Sequence, residues 1–225
     1  MSVYIDVWHR TLPLAPENHQ LFLDYYGEWV VGPPSDFFEV VGGFRYTDGE
    51  SNTDFVLYRY ESMGMIEKSM MSFGAGETYI AATTEVFSQI QIEETRAVAI
   101  HSSYCPEARL DEVLAEGVAD PAMAARRYVR IVRRLPTLTR PQAFLALGQF
   151  AGQVEKASGA RLVAAFEYLV GPVTDGVEIW VLPEGQSWFP ALPAGVDPAL
   201  SSEIARLAPE QERRGIEPTV FSKLR

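Results

Sequence analysis

The sequence predicts an α+β fold in which two tandem copies of one βαββαβ unit close a single barrel. Three observations carry this prediction. Tyr4 to Leu12 (YIDVWHRTL) and Tyr128 to Pro136 (YVRIVRRLP) alternate in the manner of strands and align without a gap, placing Tyr4 on Tyr128 and Asp6 on Arg130. Each is followed by an amphipathic helix and then by two β-branched and aromatic runs around an Asp-Gly dipeptide, Asp48-Gly49 and Asp175-Gly176, which suits a hairpin turn. Each copy then passes through a helical segment and resumes with a similar tetrapeptide, Ile92-Glu93-Glu94-Thr95 and Ile216-Glu217-Pro218-Thr219, expected to open a final strand. Markers that recur in one order at similar spacing indicate a duplication. A lone βαββαβ sheet has one bare face and exposed edges, so two copies are expected to bury the bare faces and remove the edges by closure.

The elements follow in order. In the first copy, residues 1–104, Val3, Ile5 and Val7 are expected to meet the helices, which turns Tyr4, Asp6, Trp8 and Arg10 into the barrel lumen. The first helix carries Leu21, Phe22, Tyr25 and Trp29 on one stripe, with His19 expected in solvent at its start. Met63, Met65, Met70 and Met71 crowd the next helical segment, where methionine fills irregular apolar space. On the last strand Val98 and Ile100 take the helix side, and Ala97, Ala99, His101 and Ser103 point inward. Residues 105–122 read as a connector, with Pro106, Gly117 and Pro121 around Leu110, Val113 and Leu114. In the second copy, residues 123–225, Val129 and Ile131 face the helices while Tyr128 and Arg130 face the lumen. Phe144, Leu147, Ala151 and Val154 form its helical stripe, Thr139 with Gln142 reads as a capping box, and Gly159 is placed to end the helix in a left-handed turn.

Composition narrows the function. The 225 residues, 47% hydrophobic and 22% charged, can bury a sizeable core. Asp6 and His9 interrupt the stretch a secretory signal would need, and no apolar run is long enough to cross a bilayer, so a cytoplasmic protein is expected. Cys105 is the only cysteine, which excludes an internal disulfide and a cysteine-based metal cluster. A net charge of −11 disfavours nucleic acid and anionic membranes as partners. The arginine run at Arg126, Arg127, Arg130, Arg133, Arg134 and Arg140 is divided by strand alternation and is no continuous patch. Dinucleotide-binding, phosphate-binding, zinc-hydrolase and serine-hydrolase motifs are missing, and no metal site is expected.

Gly159 to Trp180 (GARLVAAFEYLVGPVTDGVEIW) resembles the hairpin of NIPSNAP-type proteins, members of the dimeric α/β-barrel superfamily of ferredoxin-like units. That resemblance implies cofactor-independent monooxygenases, polyketide cyclases, muconolactone-isomerase-like enzymes, or haem-binding oxygenases and dehydratases. It supplies no catalytic motif that matches this chain residue by residue.

The candidate site is therefore drawn from the lumen-facing set. His101 and Asp6 are the candidate acid and base, and the alignment sets Asp6 across from Arg130. Tyr4, Trp8, Tyr58, Tyr128, Arg130, Glu178 and Trp180 are the candidate substrate-binding residues, an aromatic lining with polar tips. His9 shares the parity of Ile5 and Val7 and is the weaker histidine. The expected function is a cofactor-independent isomerase, cyclase, lyase or monooxygenase working on a small hydrophobic molecule, aromatic or polyketide-like. A non-enzymatic ligand-binding or interaction protein, and a haem-binding barrel, are the alternatives, and pairing as a homodimer stays open.

Overall fold

A computed structural model describes residues 2–31, 37–48, 52–72, 77–119, 126–186 and 194–224, with backbone alone at 71–72, 77–79 and 118–119. Its strands are β1 (Val3–Leu12), β2 (Glu39–Tyr46), β3 (Thr53–Tyr60), β4 (Gln91–His101), β5 (Tyr128–Arg134), β6 (Arg161–Val170), β7 (Asp175–Val181) and β8 (Glu210–Pro218). Its helices are α1 (Pro16–Tyr25), α2 (Met63–Ser72), α3 (Glu77–Phe87), α4 (Glu107–Ala119), α5 (Arg140–Ser158) and α6 (Pro198–Leu207). The strands hydrogen-bond in the order β1-β3-β2-β8-β5-β7-β6-β4, a closed barrel. The chain packs as two compact units, Met1–Val98 with Pro218–Leu224, and Ala99–Glu217. No helix among the described residues is long and apolar enough to cross a membrane.

In the first unit β1 and β3 pair antiparallel from Val3↔Tyr60 to Arg10↔Thr53, and β2 pairs with β3 around a bulge between Val40 and Gly42. Strand alternation then puts Val3, Ile5, Val7, Tyr58 and Tyr60 on the face that packs against Phe22, Leu23 and Tyr25 of α1. Pro16 at the start of α1 suits a helix N-terminus because its missing N–H would have no partner there. Beyond Tyr25 the helix widens into a π-helical stretch, Tyr26–Val31, which carries Tyr26 onto the same face. The segment after β8 returns to β2, where Thr219 N–H donates to Gly43 O at 2.8 Å and Leu224 N–H to Val41 O at 3.1 Å. The turn at Asp48-Gly49 lies partly outside the described residues, as does the side chain of Met71.

The second unit repeats the pattern. β6 and β7 pair around a bulge between Leu162 and Ala164, with Leu162 opposite Trp180 as Val40 is opposite Tyr58. β5 pairs with β7 so that Val129 faces Trp180, as Ile5 faces Tyr58 in β1 and β3. Two bulges in equivalent places thus give the same ungapped superposition, Tyr4 on Tyr128, that strand alternation predicts. Val129, Ile131 and Trp180 pack with Ala151 and Val154 of α5, and a neighbouring cluster joins α5 to Leu200, Ile204 and Leu207 of α6.

Three local expectations need correction. The second hairpin turns at Gly171, whose φ of 101° suits glycine, so Asp175-Gly176 lie inside β7. There Gly176 answers a close approach, since a Cβ would stand 2.4 Å from Leu135 Cδ1. Thr139 does precede α5, but its backbone is already near-helical and its hydroxyl donates to Pro136 O at 3.4 Å in place of capping; Pro141 has removed one of the N–H groups a cap would serve. Gly159 does end α5 in a left-handed turn, φ 73°. The tetrapeptide at Ile216 closes β8 instead of opening it, because β8 begins with Glu210-Gln211-Glu212-Arg213, a charged run that alternation of apolar residues does not reveal.

Candidate functional site

The chemistry of the first unit gathers on the helix-facing side of its sheet. His9, at the parity of Ile5 and Val7, is 1% exposed among Phe22 and Tyr26, whose ring centroids each lie 4.9 Å away. β3 places Asp54 opposite it, and His9 Nδ1 lies 3.0 Å from Asp54 Oδ2. The other ring nitrogen, Nε2, is 3.5 Å from Glu94 Oε2 on β4. Burial disfavours the imidazolium, but the hydrogen bonds and charges of Asp54 and Glu94 outweigh it and raise the His9 pKa to about 8. Burial likewise opposes ionisation of Glu94, yet His9 and Arg96 together hold its carboxyl at about 2. At neutral pH His9 is therefore an imidazolium and Glu94 a carboxylate, with Asp54 beyond the one and Arg96 beyond the other. His19, expected in solvent, is instead buried beneath α1, with Nδ1 3.2 Å from Thr11 Oγ1 and Nε2 3.8 Å from Asp54 Oδ1; burial lowers its pKa. Asp54, fully buried, is what draws it inward.

A cavity of about 470 Å³ opens beside this row. Ile5, Val7, Phe22, Phe38, Phe87 and Ile92 are among its apolar lining, and Glu94 and Arg96 join Ser69, Tyr25, Tyr26, Tyr58 and Tyr60 as its polar lining. The Tyr26 and Tyr58 hydroxyls are hydrogen-bonded to each other, and burial pushes both phenols well above their ordinary range, so both stay neutral donors. Arg96 Nε donates to Glu94 Oε1 at 2.5 Å, with side chains 52% and 34% exposed, so this ion pair forms the wetter end of the cavity. An apolar pocket with a few convergent polar groups and perturbed titration is the usual form of a small-molecule site.

Of the residues named from sequence, Tyr58 lines this cavity. Tyr4 and Asp6, both buried, and Trp8, half-buried, alternate onto the opposite face of β1. In the second unit His101 Nδ1 donates to Cys105 O at 3.1 Å, and the ring stands 4.8 Å from Phe166. Arg130 is buried, with Nη2 3.3 Å from the Tyr168 hydroxyl. Tyr128 is buried, which pushes its phenol up to about 12. Glu178 and Trp180 take the helix-facing side of β7: Glu178 accepts from Arg133 Nε at 3.0 Å, Tyr104 Oη at 3.0 Å and Trp180 Nε1 at 3.1 Å. That carboxylate has its donors within the unit and ties β5 to β7. Of the other arginines in that run, Arg126 pairs with Glu116, Arg134 with Asp175 and Arg140 with Glu167. No group of three or more His, Cys, Asp or Glu able to hold a metal ion occurs among the described residues.

Sequence reasoning missed Asp54, Glu94, Arg96, His19 and Tyr26 as site residues. The available signal was parity: Ile92, Glu94, Arg96 and Val98 alternate together, so the helix-facing side of β4 carries two charges where an apolar pair would be ordinary.

No family model matches the chain, and no curated protein does. Solved structures do. A protein of inferred monooxygenase activity from Lactobacillus acidophilus superposes with a TM-score of 0.57 at 10% identity, over 97% of this chain and 94% of that one. An anthrone oxidase-like protein gives 0.57 at 13% identity, over 97% and 91%. A chlorite dismutase variant from Candidatus Nitrospira defluvii gives 0.51 at 8% identity, over 99% and 92%. At such identities the likeness speaks for architecture, and with the strand order above it establishes that the chain has the tandem ferredoxin-like, dimeric α/β-barrel fold.

Proposed function

We propose that the protein is a cytoplasmic, NIPSNAP-like enzyme that carries out proton-transfer chemistry without a bound cofactor on a small hydrophobic, aromatic molecule in the cavity of its first unit. The observation that carries this reading is an ionised carboxylate, Glu94, backed by the His9 imidazolium and facing an apolar cavity that also presents two neutral phenols. Glu94 takes a proton from a C–H or O–H bond of the substrate. The electron pair left behind moves onto a substrate oxygen, where the Tyr26–Tyr58 pair donates the one O–H not used between the two hydroxyls to the developing charge. The two cations that keep Glu94 ionised also weaken it as a base, which restricts the substrate to bonds already acidified by a neighbouring carbonyl or aromatic ring. Glu94 then returns that proton to the product, which leaves Glu94 ionised and His9 still an imidazolium.

Anthrone is a suitable probe, a planar aromatic ketone with an acidified methylene, and the name of one fold neighbour points to the same class. Exchange of its methylene hydrogens with deuterated solvent, followed by NMR, is expected to run roughly 100-fold faster with the protein than in buffer. Glu94→Gln should abolish the acceleration, and Tyr58→Phe should cut it about tenfold. Anthrone that binds without faster exchange would overturn the enzymatic reading in favour of ligand binding. Oxygen uptake in the same samples reports whether the carbanion goes on to react with dioxygen, and a visible spectrum after haem addition tests the haem-binding alternative.

A further inference from the structure

From the arrangement at the wetter end of this cavity we infer that the ligand is an aromatic carboxylate, its ring system in the apolar part and its carboxylate on the terminal nitrogens of Arg96. This deepens the reading above and rests on the cavity being the ligand site. Glu94 stands between two cations, His9 Nε2 at 3.5 Å and Arg96 Nε at 2.5 Å, while Asp54 neutralises the far side of His9 at 3.0 Å. Counted along the row, His9 is matched by Asp54, and Glu94 is held by the Nε edge of Arg96. Among the described residues that edge makes the one side-chain hydrogen bond of Arg96, so Nη1 and Nη2 remain as a planar fork on the cavity wall. Two parallel N–H groups of this kind match the two oxygens of a carboxylate, and one guanidinium can serve two carboxylates through its two edges.

The surroundings fit an anion better than a neutral polar group. The cavity's other polar groups, the hydroxyls of Tyr25, Tyr26, Tyr58, Tyr60 and Ser69, carry no charge to neutralise the guanidinium. Phe38, edge-on to Tyr58 at 5.0 Å between ring centroids, and Phe87 are lining rings that a flat hydrocarbon would meet. The volume of about 470 Å³ admits two or three fused rings. A second carboxylate on Arg96 also competes with Glu94 for the guanidinium, so ligand binding loosens the contact that keeps Glu94 a weak base. Substrate recognition and base strength are coupled through one side chain.

The test is calorimetric titration of the whole protein with 2-naphthoate and with 2-naphthamide, which differ in charge and hardly in shape. The wild type is expected to bind the carboxylate about tenfold more tightly than the amide. Arg96→Gln, at a half-exposed position, should bring the two within about twofold by weakening the carboxylate far more than the amide. Arg96→Lys, which keeps the charge and loses the fork, should retain part of the preference. Equal wild-type affinities, a preference that survives in Arg96→Gln, or a parallel loss of both ligands in that variant would overturn the carboxylate assignment and leave the cavity as a site. Binding of neither compound would overturn the cavity reading as well.

Discussion

His9 illustrates how a charged residue can occupy an apolar position. Its parity on β1 assigns it to the helix-facing side, where a histidine is most simply read as core, and in sequence its two acidic partners stand 45 and 85 residues away. Only the pairing of β1 with β3 and the placement of β4 bring them together, so no local pattern announces the row. The consequence for stability has a definite sign. The folded pKa of His9, about 8, lies above its ordinary 6.5, so its contribution is fully present below about 6.5 and is lost as pH rises through 8. Glu94, held at about 2 against an ordinary 4.5, contributes above about 4.5 and loses that contribution as pH falls through 2. Both contributions coexist between these limits. Replacing His9 with Gln should therefore destabilise the protein most near pH 6, and the gap to wild type should narrow by about 2 kcal/mol toward pH 9. Urea denaturation at the two pH values measures it; a gap independent of pH would show that His9 is not charged in the folded protein.

At the scale of elements, the strands that alternate cleanly were legible and those that do not were displaced. β1 and β5 follow from residue pattern alone, and the paired bulges at Val40 and Leu162 now support their superposition. β8 was misplaced because its opening residues are charged and form local pairs such as Arg213 with Glu210, leaving Ile216 as the first apolar marker. The second turn was misplaced because Asp-Gly is the stronger hairpin signal, while Gly171 needs only its own positive φ. The polar ties between strands were illegible for a different reason: Arg133 and Glu178 meet across β5 and β7 with both side chains almost fully buried. Glu178→Ala should cost about 3–5 kcal/mol, since it leaves a guanidinium buried without its carboxylate. Adding Arg133→Met to that variant should recover most of the loss, and chemical denaturation of both variants checks the pair. An additive loss would mean the two side chains act independently.

For the whole molecule, duplication was the readable property, because an eight-stranded barrel of two similar units leaves its periodicity in the residues of each copy. The copies have diverged in chemistry. Where the first sheet sets His9 opposite Asp54, the second sets Arg133 opposite Gly176, and Tyr58 is answered by Trp180. The charged row of the first unit thus borders a cavity, whereas the buried carboxylate of the second is satisfied by Arg133, Tyr104 and Trp180. Reading the lumen-facing residues as the site followed from closure of the barrel, whereas the cavity described here depends on the π-helical turn at Tyr26 and on charges at helix-facing positions of β4. Neither feature has a period that a sequence displays.

The claim that chemistry belongs to this cavity is tested most directly by filling it. Ile92 lines its wall and is partly buried, so Ile92→Trp adds an indole where the substrate ring would lie. This variant, folded as judged by its near-ultraviolet spectrum, is expected to lose the roughly 100-fold acceleration of anthrone hydrogen exchange. An exchange rate equal to wild type in the folded variant would contradict a site in this cavity and leave Asp6 and His101 as the candidate acid and base.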